Sequence, residues 1–468
     1  MSLNYGNSTI SIKNSIPVIN WALFNSRANT DSATASEPAV GQCLFARYYS
    51  SLNAGTPSFL LIPSRFKSGK LYAQIPTNGS GDLNVTRSLD TATRVNASGF
   101  IESVASGIPR LDYFASGGVV GCPALLVEPS AQNVVQQSED FTNAYWAKVN
   151  SSISGNQTTA PDNTLTADKL IMNNGILPNV ANQSGFNRSE VVTSSAYRFS
   201  IFAKSAEFTG FRVRENTVEG TFLDVNLSNG TITNGSVAQF ISPLAENYGN
   251  GWYRISWTSP TITNLNKYTI RVGSTGDGVS GIFVWGAQLE TGSVATSYIP
   301  TTTAAVTRNA DVVSVSGAVS GSIGQTEGTI YAEINIQKLL GTTQRAIVDI
   351  GQSGNRLFLG YGNGLTNQIK FLLQTSGGGL VDFQSAATTT GTIRVAVGYK
   401  NSDSAMYVNG VNVTPTSNGS FTATLTTLSN IYIGSSLDGL DFLNDKINEI
   451  SLFSTRLTNT ALQNMTIQ

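Results

Sequence analysis

The stretch Val284–Pro300, VWGAQLETGSVATSYIP, decides how this chain is read. Its first half is strand-like, and successive side chains of a strand point to opposite faces. Strict alternation sets Val284, Gly286 and Gln288 on one face and Trp285, Ala287 and Leu289 on the other. The second face is expected to bury an indole and an isobutyl group against a sandwich core, worth about 1.5–3 kcal/mol for each large side chain. Thr291-Gly292-Ser293 then breaks the strand, and Pro300 ends any ladder pairing. The stretch reads as a domain's closing strand and exit linker, structural rather than catalytic.

The rest of the chain is written in the same style. Its 468 residues exceed what one core holds, about 250–300 residues, so two or three domains are expected. Charged residues make up only 12%, about half the usual share. The polar surface is therefore Ser, Thr, Asn and Gly, which suits turns and strands better than exposed helices. The 45 glycines, scattered between short apolar runs, mark many tight turns. The expected fold class is all-β.

Composition also excludes functions. A net charge of −1 without basic clusters argues against nucleic acid. No run approaches the roughly 20 apolar residues of a membrane span, and the N-terminal stretch has no basic-then-apolar secretion signal. With no histidine in the chain, Ser-His-Asp, Cys-His and His-metal chemistry are excluded. Cys43 and Cys122 both lie in apolar surroundings and are read as buried free thiols in preference to a disulfide.

Three segments follow from the spacing of strands and turns: an N-terminal module over 1–123, a β-sandwich of jelly-roll type over 124–309, and a second antiparallel β-sandwich over 310–468. In the middle segment YRFSIFAKS (197–205) alternates as a half-buried strand does apart from Phe202, which breaks the pattern, and KYTIRVG (267–273) alternates similarly. In the last, Asn409-Gly410 joins two apolar runs in a type I′ hairpin, and the end of the chain starts a short helix capped by Thr458 or Asn459.

Residues 284–314 strongly resemble a segment of bacteriophage tail-fibre, head-fibre and related virion proteins. VEPSAQNVVQQSEDFTNAYWAKVN (127–150), YRFSIFAKS and NGWYRISWT (250–258) look like the rest of its carbohydrate-binding-like jelly roll. Residues 71–113 resemble the module that precedes it in such fibres. SAMYVNGV (404–411), IYIGSS (431–436) and KINEISLFSTRLTNTALQNM (446–465) look like a laminin-G/concanavalin A-like sandwich. The resemblance implies a virion protein anchored by its N-terminal module to capsid or tail, typically a homotrimer, displaying its sandwiches to host cell-surface glycans after release by lysis. The alternatives are a capsid decoration protein without ligand, a bacterial surface lectin or adhesin, and a polysaccharide depolymerase.

Candidate sites follow from what those ligands require. Sugars need flat aromatic faces flanked by polar groups. Trp146, Trp252 and Trp285 are read as core, Trp257 as freer, and Tyr248 in ENYGNGWY as the best exposed platform. Calcium needs several oxygens together, and such sandwiches often bind it. Asp438, Asp441 and Asp445 in SSLDGLDFLND are the candidate ligands, against the favoured reading of a solvated acidic loop. Asp277 reads first as a turn residue. No other cofactor is expected. Glycan hydrolysis needs two opposed carboxylates, whereas Glu333 and Asp349 are single acids and Glu215 and Glu219 share one hairpin-like loop; no enzyme is expected. Arg87, Arg94 and Arg308 could bridge domains to Asp90, Asp112 or Asp311, though ordinary surface pairs are the simpler expectation.

Overall fold

The computed structural model describes residues 55–467 apart from 116, 178–184, 189–190, 218–219, 265–267, 317–319, 339–342, 353, 363–366, 376–379 and 419–427, and before residue 55 only the strands Ser2–Tyr5, Ser8–Ser11 and Ala35–Ser36. The fold is nearly all strand, as the composition requires. Thr458 caps the helix Asn459–Ile467 by accepting from the Ala461 amide at 3.2 Å. The expected hairpin closes at Asn409 and Gly410, both at positive φ. Among the described residues no helix is long and apolar enough to cross a membrane.

The jelly roll is built from two six-stranded antiparallel sheets. In the second of these, Gly281–Thr291 lies between Ala167–Met172 and Tyr197–Ser205, with Trp252–Thr258 and Ile241–Gly249 beyond. Phe211, Val213, Leu223 and Val225 of one sheet meet Ile201, Ile255, Trp257 and Leu289 of the other to form the core.

Strict alternation fails at Gly286. Ser200 pairs with Gln288 but Phe202 with Trp285, so one extra residue is accommodated in a bulge. Gly286 sits at φ +63, and a Cβ there would lie 2.9 Å from the Phe202 ring. Val284, Ala287 and Leu289 therefore share the jelly-roll core, while Trp285 turns the other way and joins Phe114, Phe202, Trp252 and Tyr298. The expectation that Trp285 and Leu289 share a face is corrected by that one residue. The following stretch is also no loose linker: Tyr298 packs on Trp285 at 4.6 Å between ring centres, and Asn133 donates to the Ile299 carbonyl at 2.9 Å.

The second sandwich is discontinuous in sequence. Its strand Asp445–Phe453 is buried along its whole length and pairs with Glu327–Ile336 on one edge. The other edge is satisfied by Gly118–Val127 and Phe59–Leu61, from before the jelly roll. In the opposite sheet Leu83–Thr86 pairs with Val312–Val315. The strands expected to form a separate N-terminal module over 1–123 are thus shared out: Phe59–Leu61, Arg65–Lys67, Lys70–Leu71, Leu83–Thr86, Arg110–Ala115 and Gly118–Val127 join the sheets of the C-terminal sandwich, while Ala92–Val95 pairs with Ile101–Val104 in a ribbon of its own, and the jelly roll is inserted after them. A strand buried on both faces cannot leave backbone donors and acceptors unpaired on an edge, and the N-terminal strands supply the partners.

A buried ionic network sits where the chain leaves the sandwich for the jelly roll and returns. Arg110 and Arg308 each donate to Glu128 at 2.6 Å, Arg110 also pairs with Asp311, and Arg87 donates to Asp311 at 2.9 Å. Every one of these side chains is at most 4% exposed. Burial alone would raise the Glu128 carboxyl, yet Arg308, Arg110 and Ser297 hold it well below the usual carboxylate range. Of the expected bridges, Arg87 to Asp311 is present but buried. Arg308 instead meets Glu128, Arg94 pairs with Glu102, and Asp112 pairs with Lys446. Cys122 is disulfide-bonded, which corrects the expected free thiol; the chain's other cysteine, Cys43, lies outside the described residues.

Glu128→Gln leaves the buried Arg308 without its anion and takes one of its two from Arg110, so a loss of about 3–5 kcal/mol is expected, read by urea unfolding. A loss below about 1 kcal/mol would show that the network is not structural.

Candidate functional site

The jelly roll, the ribbon Ala92–Val95/Ile101–Val104 and the second sandwich meet around a cleft of about 40 Å³. Tyr248 lines it, but not as the exposed loop platform expected. It belongs to the strand Ile241–Gly249, which continues pairing past an irregularity at Asn247/Gly249 and directs the ring inward. One ring face stacks on Phe114 at 4.2 Å and the ring meets Phe202 edge-on at 4.9 Å. Tyr248 is half-buried, and burial pushes its hydroxyl pKa well up.

Polar groups converge on the same cleft from all three segments. The jelly roll contributes Glu246 and Arg254, register partners on adjacent strands. The sandwich contributes Gln337, Lys338 and Lys446. Lys446 pairs with Asp112 at 2.6 Å, and Lys338 donates to the Ala295 carbonyl at 2.7 Å across the junction. Asp445, next to Lys446, is buried and accepts from the Gln337 amide at 2.8 Å. Burial pushes its pKa up to about 7, with Lys338 and Lys446 offsetting only part of the cost.

Trp257 is corrected from freer to fully buried. It is 1% exposed, stacks on Phe199 with an interplanar angle of 6°, and lines a pocket of about 50 Å³ with Trp146, Phe186 and Tyr268. Its strand lies between two neighbours, so its position near the strand end does not free it. Trp146, Trp252 and Trp285 are core residues whose indole N–H groups donate to Gln137, Thr159 and Thr166.

The three acids named as candidate calcium ligands each accept from groups of the protein itself. Asp438 caps its own turn, accepting from the Ser436 hydroxyl and, at 3.2 Å, from the Leu440 amide. Asp441 accepts from the Gln344 side chain, and Asp445 sits in the sheet at the junction. The neighbouring Asp349 already has its cation, a two-pronged pair with Arg356 at 2.8 and 2.7 Å. Among the described residues no group of three or more Asp, Glu, Cys or His side chains is placed to hold a metal ion. Asp277 caps a turn at the Val279 and Ser280 amides. Glu333 pairs with Arg394 at 2.9 Å, and Glu215 accepts from the Thr217 amide at 3.0 Å. Glu219 lies outside the described residues.

Comparison with known proteins places the C-terminal part. Residues 307–463 match the concanavalin A-like lectin/glucanases superfamily, Laminin_G_3. That lectin-like sandwich is what the chain's last third was expected to be. No curated protein matches. Partial likenesses to solved structures include the Ruminococcus gnavus IT-sialidase CBM40 bound to α2,3-sialyllactose, 14% identical over 32% of this chain and 87% of that one, TM-score 0.27. They also include domain 4 of AbnA, a GH43 arabinanase from Geobacillus stearothermophilus in complex with arabinotriose, 12% identical over 37% and 82%, TM-score 0.27. A third is a SAP-like pentraxin from Limulus polyphemus, 15% identical over 30% and 69%, TM-score 0.23. At these scores neither a ligand nor a site passes to this chain.

Asp445 generates a pH prediction. Its folded pKa of about 7 lies above the unfolded value of about 3.9, so its contribution to stability is full below about pH 4 and lost as pH rises through 7. Asp445→Asn keeps an acceptor for the Gln337 amide and removes the buried charge. The variant should match the wild type near pH 4 and exceed it by about 2–4 kcal/mol at pH 8. Unfolding curves across that range check it; a difference independent of pH would refute the assignment.

Proposed function

We propose that this chain is a non-enzymatic structural protein of a bacteriophage virion, a head or tail fibre or spike, that displays two fused β-sandwiches to glycans on a host surface. The observation that carries the binding reading is the state of the acids. The superfamily match covers lectins and glucanases alike, and glycosidases need two opposed carboxylates, generally about 5–10 Å apart. On the matched sandwich Asp349 is held by Arg356, Glu333 by Arg394 and Asp382 by Lys370. These three carboxylates, bound to their own cations, suit a scaffold and not acid–base catalysis.

The buried network supports display, since it joins the two sandwiches without a flexible linker. In this reading the chain's N-terminal part anchors it to capsid or tail, the assembly is a homotrimer, and it leaves the host on lysis. Mass spectrometry of purified virions is expected to find the chain; its absence from particles would favour a bacterial surface lectin or adhesin. A glycan array is expected to give saturable binding, whereas silence would favour a ligand-free decoration protein. Incubation with capsular or surface polysaccharide should leave chain length unchanged, and shortening would make the protein a depolymerase.

A further inference from the structure

The pocket beside Trp257 lies between the two sheets of the jelly roll, with walls from both. Aromatic rings form much of those walls. Phe199 stacks on Trp257 at 5.2 Å between centres, Tyr268 meets these two edge-on at 4.9 and 5.7 Å, and Phe186 meets Trp146 edge-on at 5.6 Å. Ala287 leaves the wall short on one side. Val284 and Leu289, on the same core face, carry branched side chains, whereas Ala287 lines the pocket with a methyl group alone. Arg188, Phe199 and Ile270 are half-buried members of the lining and mark its solvent side.

The polar groups of the lining are turned to partners of their own. Gln288 donates to the Ser297 carbonyl at 3.3 Å and accepts from the Ile299 amide at 2.6 Å. The Tyr268 hydroxyl and the Trp146 indole donate to the Gln239 and Gln137 carbonyls at 2.7 and 2.9 Å. Asn187 donates to the Thr269 hydroxyl at 3.1 Å, and Ser200 accepts from Arg254 at 3.0 Å. Arg188 donates to the Tyr145 carbonyl at 3.1 Å and lies over that ring. The Trp257 indole nitrogen is closed to solvent and offers an occupant nothing. A fixed water needs about two to four polar partners, whereas apolar cavities stay dry and take apolar guests. A hydroxyl or a charge placed here would lose its own hydrogen bonds. The volume of about 50 Å³ holds roughly three to five groups of water size at about 10–15 Å³ each, less than a sugar ring with its hydroxyls.

We propose that this pocket receives the methyl group of a sugar substituent, either an acetamido group or the C6 methyl of a 6-deoxy sugar, while the sugar ring stays outside on the solvent side. The assignment rests on the glycan-binding reading above. It adds a substrate class, glycans that bear methyl groups, and a location in the jelly roll. The competing account is a packing gap with no occupant.

The test is a glycan array, probed with the full chain, that sets N-acetylated and 6-deoxy glycans beside their hydroxylated counterparts. Bound glycans should carry one of the two methyl groups, and which set binds identifies the source. Replacing that substituent by its hydroxylated counterpart should weaken binding at least about fourfold, the worth of burying one methyl group. Ala287→Leu, which fills the pocket from its wall, should abolish the preference. Ile270→Ser on the solvent side should weaken binding several-fold, and Asp382→Asn on the other sandwich should leave it unchanged. Thermal melting reports whether each variant folds; should Ala287→Leu not fold, Ile270→Ser carries the test. Binding indifferent to the methyl group, or a preference that survives in the folded pocket variants, overturns the assignment and leaves the glycan reading standing. Silence across the whole array overturns both.

Discussion

The structure depends on five charged side chains shut away from water between two sandwiches. Arg87, Arg110 and Arg308 surround Glu128 and Asp311, and no member is tolerable there alone, because desolvating an unpaired ion costs several kcal/mol. The two acids sit where the chain departs for the jelly roll and comes back. The Asp311 amide donates to the Glu128 carbonyl, and the Glu128 amide returns a bond to the Asp311 carboxylate. Backbone and side-chain bonds thus hold the departing and returning strands in one register. An ion network has few alternative geometries that satisfy every partner, so it acts as an orienting device more than as a source of net stability.

That constraint explains the architecture on either side of it. A jelly roll inserted into a sandwich must enter and leave at neighbouring points, and the ribbon Ala131–Asn133/Val306–Arg308 provides them. The interrupted sandwich is closed by strands lying hundreds of residues apart in sequence, so its formation depends on non-local pairing. The functional consequence is that the junction cleft has no existence in any one segment. Its walls come from the N-terminal strands, the jelly roll and the C-terminal sandwich, and it keeps its shape because the network beneath holds all three.

Much of this was readable in the amino-acid sequence, for a local reason. The hairpin at Asn409-Gly410 and the cap at Thr458 are properties of neighbouring residues, and each was found where expected; the alternation expected of Tyr197–Ser205 was not, since that strand is buried on both faces. The same holds for the burial of Trp146, Trp252 and Trp285, and for the turn at Asp277. Some departures also had local causes: the bulge at Gly286 moved Trp285 off the face of Leu289, and a strand continuing through Asn247 turned the Tyr248 ring inward onto Phe114.

The sequence by itself determined an all-β chain of two sandwiches, the absence of histidine chemistry, and the types of residue available for a site. Only the tertiary structure decided which of them meet. Arg110 and Glu128 gave no local sign of lying at the centre of a network. The N-terminal strands gave none of completing a sandwich more than three hundred residues away, and neither did Asp445 of leaving the acidic loop for the junction. The physical reason is common to all three. A side chain's alternation along a strand is set by its neighbours in the chain, whereas its charge partner and its sheet partner are chosen by burial, which depends on how distant segments pack.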